Sequence, residues 1–345
     1  PAFARLREAL GRTLDAAAAL PPPVPAGPAL RPGDADPAVP VIRTRLSVAA
    51  ADGADPAVYD EALVAAVKAF QRDNGLAADG IVGPRTRAAF KRARCADPSD
   101  IVANMERWRW MPRDLGDRHV FVNVPEFMLE VIDGGQRTYR GRVIVGRPEN
   151  PTPMFSEAMN HIVVNPYWNV PYSIASKEML SSIRSNPAGY MARRNLEVVH
   201  RGRVVNASAI DWTTASLREV RIRQRPGRGN ALGSVKFMFP NQHAVYLHDT
   251  PTKHLFGKER RAFSHGCVRV DQPFAFAAAL LASDGKVTGP GIERMVGGGE
   301  RWVNLTSPVP VHLAYFTVAA GEDGRVVRHE DLYGFDARLK RALGL

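Results

Sequence analysis

Cysteine is scarce in this 345-residue chain, two residues in all, and one of them, Cys267, closes a run of small residues, Ser264-His265-Gly266-Cys267. A thiol becomes a nucleophile when a base holds or takes its proton, and that base is often remote in sequence and adjacent in the fold. Four of the nine histidines, His243, His248, His254 and His265, fall within 23 residues beside Cys267. His248 ends the apolar run Ala244-Val245-Tyr246-Leu247, as a strand would carry it to a rim, and stands across one loop from Cys267. Gly266 lets the backbone approach closely, so the amides of 265–267 can face a developing oxyanion. Asp249 can orient His248 through its carboxylate or its main-chain carbonyl. The chemistry these types suggest is nucleophilic attack by a thiolate, with main-chain amides to meet a developing oxyanion. Two other readings stay open at this level. The histidines can be hydrogen-bonded structural groups around a buried thiol. They can also be metal ligands, although His265-x-Cys267 lacks the spacing of ordinary zinc ligand pairs and no second cysteine is near.

The elements that must position these residues are mostly strands. From His119 onward the chain reads as short β-like runs, HVFVNV, FMLEVI, RGRVIV, NHIVVN and later AVYLHD. Residues 173–230 interrupt that pattern with helical and charged sequence, predicting a helical insertion between strands. Upstream, Phe3, Leu6, Leu10 and Leu14 predict a helix over 1–20, followed by a proline-rich linker over 21–40. Residues 41–94 read as a compact helical unit: Leu63, Val64, Val67 and Phe70 mark one helix, a turn from Gly75 to Pro84 stops it, and a second carries Thr86, Ala89 and Phe90. A helix near 100–112 bears Trp108 and Trp110, and the tail from 308 holds one strand, VHLAYFTV, and a terminal helix.

Composition bounds the answer. With 45% hydrophobic and 23% charged residues the chain is an ordinary globular protein, long enough for two or three domains. No run approaches the roughly 18 apolar residues of a membrane span. Forty-six basic against 35 acidic residues give a net charge of +11, compatible with nucleic acid, an anionic membrane or an anionic wall polymer. The arginines are scattered, and the densest stretches, 218–228 and 258–261, are short, so a solvated basic surface and no nucleic-acid partner are expected. Two cysteines cannot build a disulfide framework, and a bridge from Cys95 to Cys267 would block thiol chemistry at both. The first residue is Pro1, so a signal or anchor segment is expected to have preceded it.

His248, then fifteen intervening residues, then Ser264-His265-Gly266-Cys267-Val268-Arg269 resembles the signature of the L,D-transpeptidase, or YkuD-type, catalytic domain. Phe70 to Thr86, with the pattern F-Q-x-x-x-G-L-x-x-D-G-x-x-G-P-x-T, resembles the hallmark of a three-helix peptidoglycan-binding domain. VIVGRPENPTPMF (143–155), VVNPYWNVP (163–171) and YLHDTP (246–251) are similar to blocks of the large, inserted-lid, YcbB-like subfamily of Gram-negative bacteria. The resemblance covers roughly 40–340. It implies an α+β multidomain fold: a scaffold helix and linker (1–50), a three-helix peptidoglycan-binding domain (51–95), a scaffold helix (96–118), a mainly β catalytic domain (119–317) with an inserted helical lid (173–230), and a tail packing on the scaffold (318–345). It also implies roles. Cys267 would be the acyl-accepting nucleophile and His248 the general base, oriented by the carbonyl of Asp249. The amides of His265, Gly266 and Cys267 would form the oxyanion hole. Ser264 and Arg269 occupy motif positions on the substrate side, Arg269 alternatively pinning the turn. Tyr246 and Trp168 match substrate-facing positions and equally suit a core. No cofactor or metal is implied. The implied partners are peptidoglycan stem peptides and glycan, with carbapenem-type inhibitors, in the periplasm. The acceptor that releases the acyl group, a stem amine, water or a protein amine, is not fixed by the motif.

Overall fold

In the computed structural model the described residues are 2–17, 22–74, 76–92, 97–282, 284–285, 288–321 and 326–345, so Cys95 and Gly75 lie outside them. The chain divides into two units, one of residues 1–108, 317–329 and 336–345, the other of 109–316 and 330–335.

The first unit is helical: α1 (Ala2–Ala17), α2 (Ala38–Leu46), α3 (Glu61–Asp73), α4 (Pro84–Arg92) and most of α5 (Pro98–Trp110). α2 begins inside the stretch read as a linker. Its Pro40 falls in the first turn, where a missing N–H leaves no helical bond unmade. Asp60 caps α3 by accepting the Leu63 amide at 3.0 Å, with Glu61 in the first turn. Leu30, Val39, Ile42, Leu63, Val67 and Val82 share one core, and the rings of Phe70 and Phe90 stack at 4.1 Å. The loop between α3 and α4 is stapled by one buried amide. Gln71 Nε2 donates to Asp79 Oδ1, Ile81 O and Thr86 Oγ1, while its Oε1 accepts the Gly80 amide. Gly80 sits at φ +75, a conformation that costs glycine little. The polar residues of the 70–86 motif are therefore accounted for by loop geometry. Near the other end of this unit, Leu6, Ile101 and Val318 make a smaller core, and Val318–Ala320 pairs with Val326–Arg328.

The second unit carries the strands β1 (Arg118–Asn123), β2 (Met128–Asp133), β3 (Gln136–Gly146), β4 (Phe155–Val164), β5 (Trp168–Asn169), β6 (Leu196–His200), β7 (Arg203–Val205), β8 (Val220–Gln224), β9 (Val235–Met238), β10 (Leu247–His248), β11 (Ala262–Ser264), β12 (Val268–Val270) and β13 (Arg301–Ala314). Nine of them form one sheet in the order β11-β3-β12-β10-β9-β4-β13-β1-β2, and β2 also pairs with β3. That extra pairing closes eight strands on themselves and removes their free edges. The interior is filled by alternate residues such as Val120, Val122, Leu129, Ile162 and Leu313, and by the helix Pro273–Leu281, whose Phe276 meets Phe237 edge to face at 4.6 Å.

The insertion departs from the helical reading. It opens with helical turns at Tyr172–Ile174, Ala175–Met179 (π-helical), Leu180–Ser185 and Pro187–Arg193, and then forms a four-stranded sheet, β5-β8-β6-β7. In β8 the residues alternate between buried Val220, Ile222 and Gln224 and more exposed Arg221 and Arg223, a period of two that the arginines disguise. Ile183, Tyr190, Val198, Trp212 and Ile222 give this subdomain a core of its own.

Candidate active site

β10 is two residues long and is held on both sides. It runs parallel to β12, with Leu247 opposite Val268 and His248 opposite Arg269, and antiparallel to β9. Leu247 and Val268 are fully buried, so apolar packing fixes this register. Cys267 immediately precedes Val268, whose amide donates to Tyr246 O at 3.2 Å. Parallel pairing thus places Cys267 two residues before the strand partner of His248, although the two are nineteen positions apart in sequence, and Cys267 Sγ donates to Ala244 O at 3.9 Å.

His248 Nδ1 donates to Asp249 O at 2.5 Å, which leaves Nε2 as the nitrogen able to take a proton. The Asp249 carboxylate is occupied elsewhere: it accepts the amides of Ser234 and Thr250 and pairs with Lys253 Nζ at 2.7 Å. A side chain at Gly233 would overlap that carboxylate. Only the main-chain carbonyl of Asp249 serves the histidine. Burial first, then the Arg269 guanidinium, push the His248 pKa down to about 3, against the opposing Asp249 bond. The half-buried Cys267 thiol is pushed up by burial, opposed by hydrogen bonds from the Tyr246 main chain and hydroxyl and by Arg269. The pair therefore rests as neutral thiol and neutral imidazole. Tyr246 stands edge to face with His248 at 5.7 Å, and burial keeps its hydroxyl protonated far above the usual range.

The turn before Cys267 is braced at several points. Ser264 Oγ donates to Cys267 O at 2.5 Å and accepts the Gly266 amide at 3.1 Å. Gly266 has φ +115, which favours glycine. The fully buried Thr152 donates from Oγ1 to Gly266 O at 2.8 Å and accepts the Gly146 amide at 2.9 Å. Tyr333 completes the ring, donating to Gly146 O at 2.7 Å and accepting the Thr152 amide at 3.2 Å. Thr152 and Gly146 both fall in the 143–155 block, but nothing in that block points to a role for Thr152, and Tyr333 lies outside any block; at Gly146 any side chain would run into the 150–152 backbone.

The remaining candidates are placed as follows. His265 is exposed, and its Nε2 lies 2.6 Å from Glu178 Oε1 in the π-helical turn of the insertion and 2.8 Å from Arg147 Nη2. Arg269 donates from Nη1 to Thr252 Oγ1 at 3.2 Å, and its buried Nε has no hydrogen-bond partner among the described residues. Trp168 belongs to the other sheet, where it pairs with Gln224 in β8 and packs against the insertion's own core. Among the described residues no three of His, Cys, Asp and Glu gather into a group that could hold a metal.

Residues 117–292 match the family model of the L,D-transpeptidase catalytic domain, YkuD, and residues 36–90 that of a peptidoglycan binding domain. The chain is similar to a protein of Haemophilus influenzae named "Putative L,D-transpeptidase", with 33% identity over 246 residues covering 70% of this chain. It spans about half, 49%, of that curated relative's length. Among solved structures it is similar to the L,D-transpeptidase from Mycobacterium smegmatis, with 11% identity, 57% of this chain and 58% of that chain covered, and a TM-score of 0.30. It is also similar to the L,D-transpeptidase from Xylanimonas cellulosilytica, with 17% identity, 84% and 98% covered, and a TM-score of 0.22.

Proposed function

The chain belongs to the L,D-transpeptidase (YkuD) catalytic-domain family, whose model spans just over half of it, and from that premise we propose that it is a periplasmic cysteine acyltransferase forming 3→3 cross-links in peptidoglycan. The observation that supports the proposal is the β10–β12 pairing, which puts His248, its Nδ1 held by Asp249 O, opposite Arg269, two residues after Cys267. The large, YcbB-like subfamily, with residues 173–230 as a lid over the site, is part of the same reading.

In the first half-reaction Cys267 Sγ attacks the carbonyl carbon of the third residue of a tetrapeptide stem, and the thiol proton passes to His248 Nε2. The carbon–nitrogen bond to the terminal D-alanine breaks, the leaving nitrogen takes that proton, and a thioester remains on Cys267. In the second half the side-chain amine of another stem attacks the thioester. Its proton passes through His248 back to Sγ, and the product is an amide joining two stems. The oxyanion would be met by the amides of His265, Gly266 and Cys267. The Gly266 amide currently bonds Ser264 Oγ, so the other two carry most of that role. Arg269 favours the thiolate electrostatically, and Tyr246 does so by hydrogen bonding. Tyr246 and Arg269 would act on the substrate side, whereas Ser264 braces the turn before Cys267 and Trp168 packs on the insertion's own core. Residues 36–90 would hold the enzyme to the sacculus, and a carbapenem would acylate the same thiol.

Incubation with a purified disaccharide-tetrapeptide tests the reaction class. A cross-linked tetrapeptide–tripeptide dimer with one D-alanine released per link supports it. Tripeptide and D-alanine without dimer would make the protein a carboxypeptidase, and no D-alanine release would refute acyl transfer.

A further inference from the structure

We propose that the inserted subdomain carries an anion-binding site, separate from Cys267, for the carboxylates of a wall stem peptide; the choice of ligand rests on the function proposed above. A cavity of about 510 Å³ opens there, lined by Arg201, Arg218 and Arg221 together with His200 and Glu219. The three arginines and Glu219 sum to a net of two positive charges. Arg223 and Arg225, close by in sequence, both pair with Glu197. The three cavity arginines, by contrast, make no ion pair among the described residues, Arg218 lying 5.8 Å from the Tyr172 ring.

The backbone sets these guanidinium groups at one end of a ladder. β6 and β8 pair with His200 opposite Val220 and Val199 opposite Arg221, and β6 turns into β7 through Arg201 and Gly202. Arg201 occupies the left-handed region at φ 50, a hairpin position where asparagine or glycine costs less by about 1 kcal/mol. Planar guanidinium forks match a carboxylate two bonds at a time. The surroundings reinforce the cavity: residues 173–230 hold eleven basic and four acidic side chains, so seven of the chain's eleven net positive charges sit in this insertion. Such a field would draw acidic stems toward the subdomain from beyond contact range.

The test uses the full chain with Cys267→Ala to stop turnover, and calorimetric titration with a disaccharide-tetrapeptide, the same compound with amidated carboxylates, and inorganic phosphate. Arg201→Asn combined with Arg221→Gln should weaken binding of the free-acid compound about tenfold. Arg201→Asn keeps a residue suited to the left-handed turn. Glu219→Gln should tighten binding several-fold, a gain that misfolding cannot mimic. The amidated compound should bind as weakly as the double variant binds the acid. Equal binding of the free acid by parent, double variant and Glu219→Gln overturns the site, and phosphate binding more tightly than the free acid overturns the carboxylate assignment. Carbapenem acylation of the unsubstituted chain is read alongside. Acylation without any arginine effect sinks the anion site alone, whereas arginine-dependent binding without acylation sinks the enzymatic reading alone.

Discussion

His248 is buried and held neutral, and the pH dependence follows from that. With the His248 pKa depressed to about 3, the imidazole stays neutral and able to accept a proton well below its usual range. The rate constant for acylation of Cys267 should therefore show no acidic break near pH 6.5; stopped-flow with a chromogenic β-lactam would show the break below about pH 5 instead. The same shift acts on stability. Between pH 6.5 and about 3 the unfolded chain binds a proton at this histidine that the folded one refuses. Stability contributed by keeping it neutral is complete above 6.5 and falls with acidification by up to about 1.4 kcal/mol per pH unit. Denaturant titrations of His248→Gln should lose that slope in this window. Arg269 lowers the pKa of both partners, so Arg269→Gln should raise the thiol pKa further and slow acylation about tenfold or more, with the acidic limb moving up in pH. As candidates, Cys267 and His248 were legible in sequence because the chemistry proposed for them belongs to their own side chains. Thr152 and Tyr333 were not, since they act on main-chain atoms of a turn remote in sequence.

At the scale of elements, the site depends on two very short strands kept in register by buried neighbours and by Thr152. Thr152→Val keeps the shape but leaves Gly266 O and the Gly146 amide without their buried partner. A loss of about 1–3 kcal/mol in urea unfolding is expected, with slower acylation, and Thr152→Ser should recover most of both. The link from Glu178 to His265 ties the insertion to the residue two before Cys267. If residues 173–230 exclude water from the thioester, Glu178→Ala should raise hydrolysis relative to dimer formation; an unchanged product ratio would remove that role. The strands from His119 onward were readable from their alternation, and α3 and α4 from their apolar spacing and turn residues. The sheet of the insertion was hidden because arginines occupy the exposed positions of β8 and because helical turns precede it. The start of α2 was hidden because its prolines read as linker, though one of them sits where a helix tolerates it.

Across the whole molecule, wall attachment and chemistry are assigned to different stretches of chain, and they should separate experimentally. Gln71 holds the α3–α4 loop through four hydrogen bonds, and Gln71→Ala leaves several buried groups unpaired, a loss of about 2–3 kcal/mol. Co-sedimentation with purified sacculi should fall in that variant while acylation by a soluble carbapenem is kept; parallel loss of both would contradict the division. The motifs suggested both proposed functions, but not the acceptor, because the second nucleophile leaves its mark in the shape of the site rather than in a residue type. The central claim remains that Cys267 becomes acylated. Intact-protein mass spectrometry after incubation with a carbapenem and, separately, with a tetrapeptide stem measures this directly. One covalent adduct per chain, mapped to Cys267 by peptide analysis and absent in Cys267→Ala, is expected. An unmodified protein, or an adduct that persists in Cys267→Ala, would contradict it.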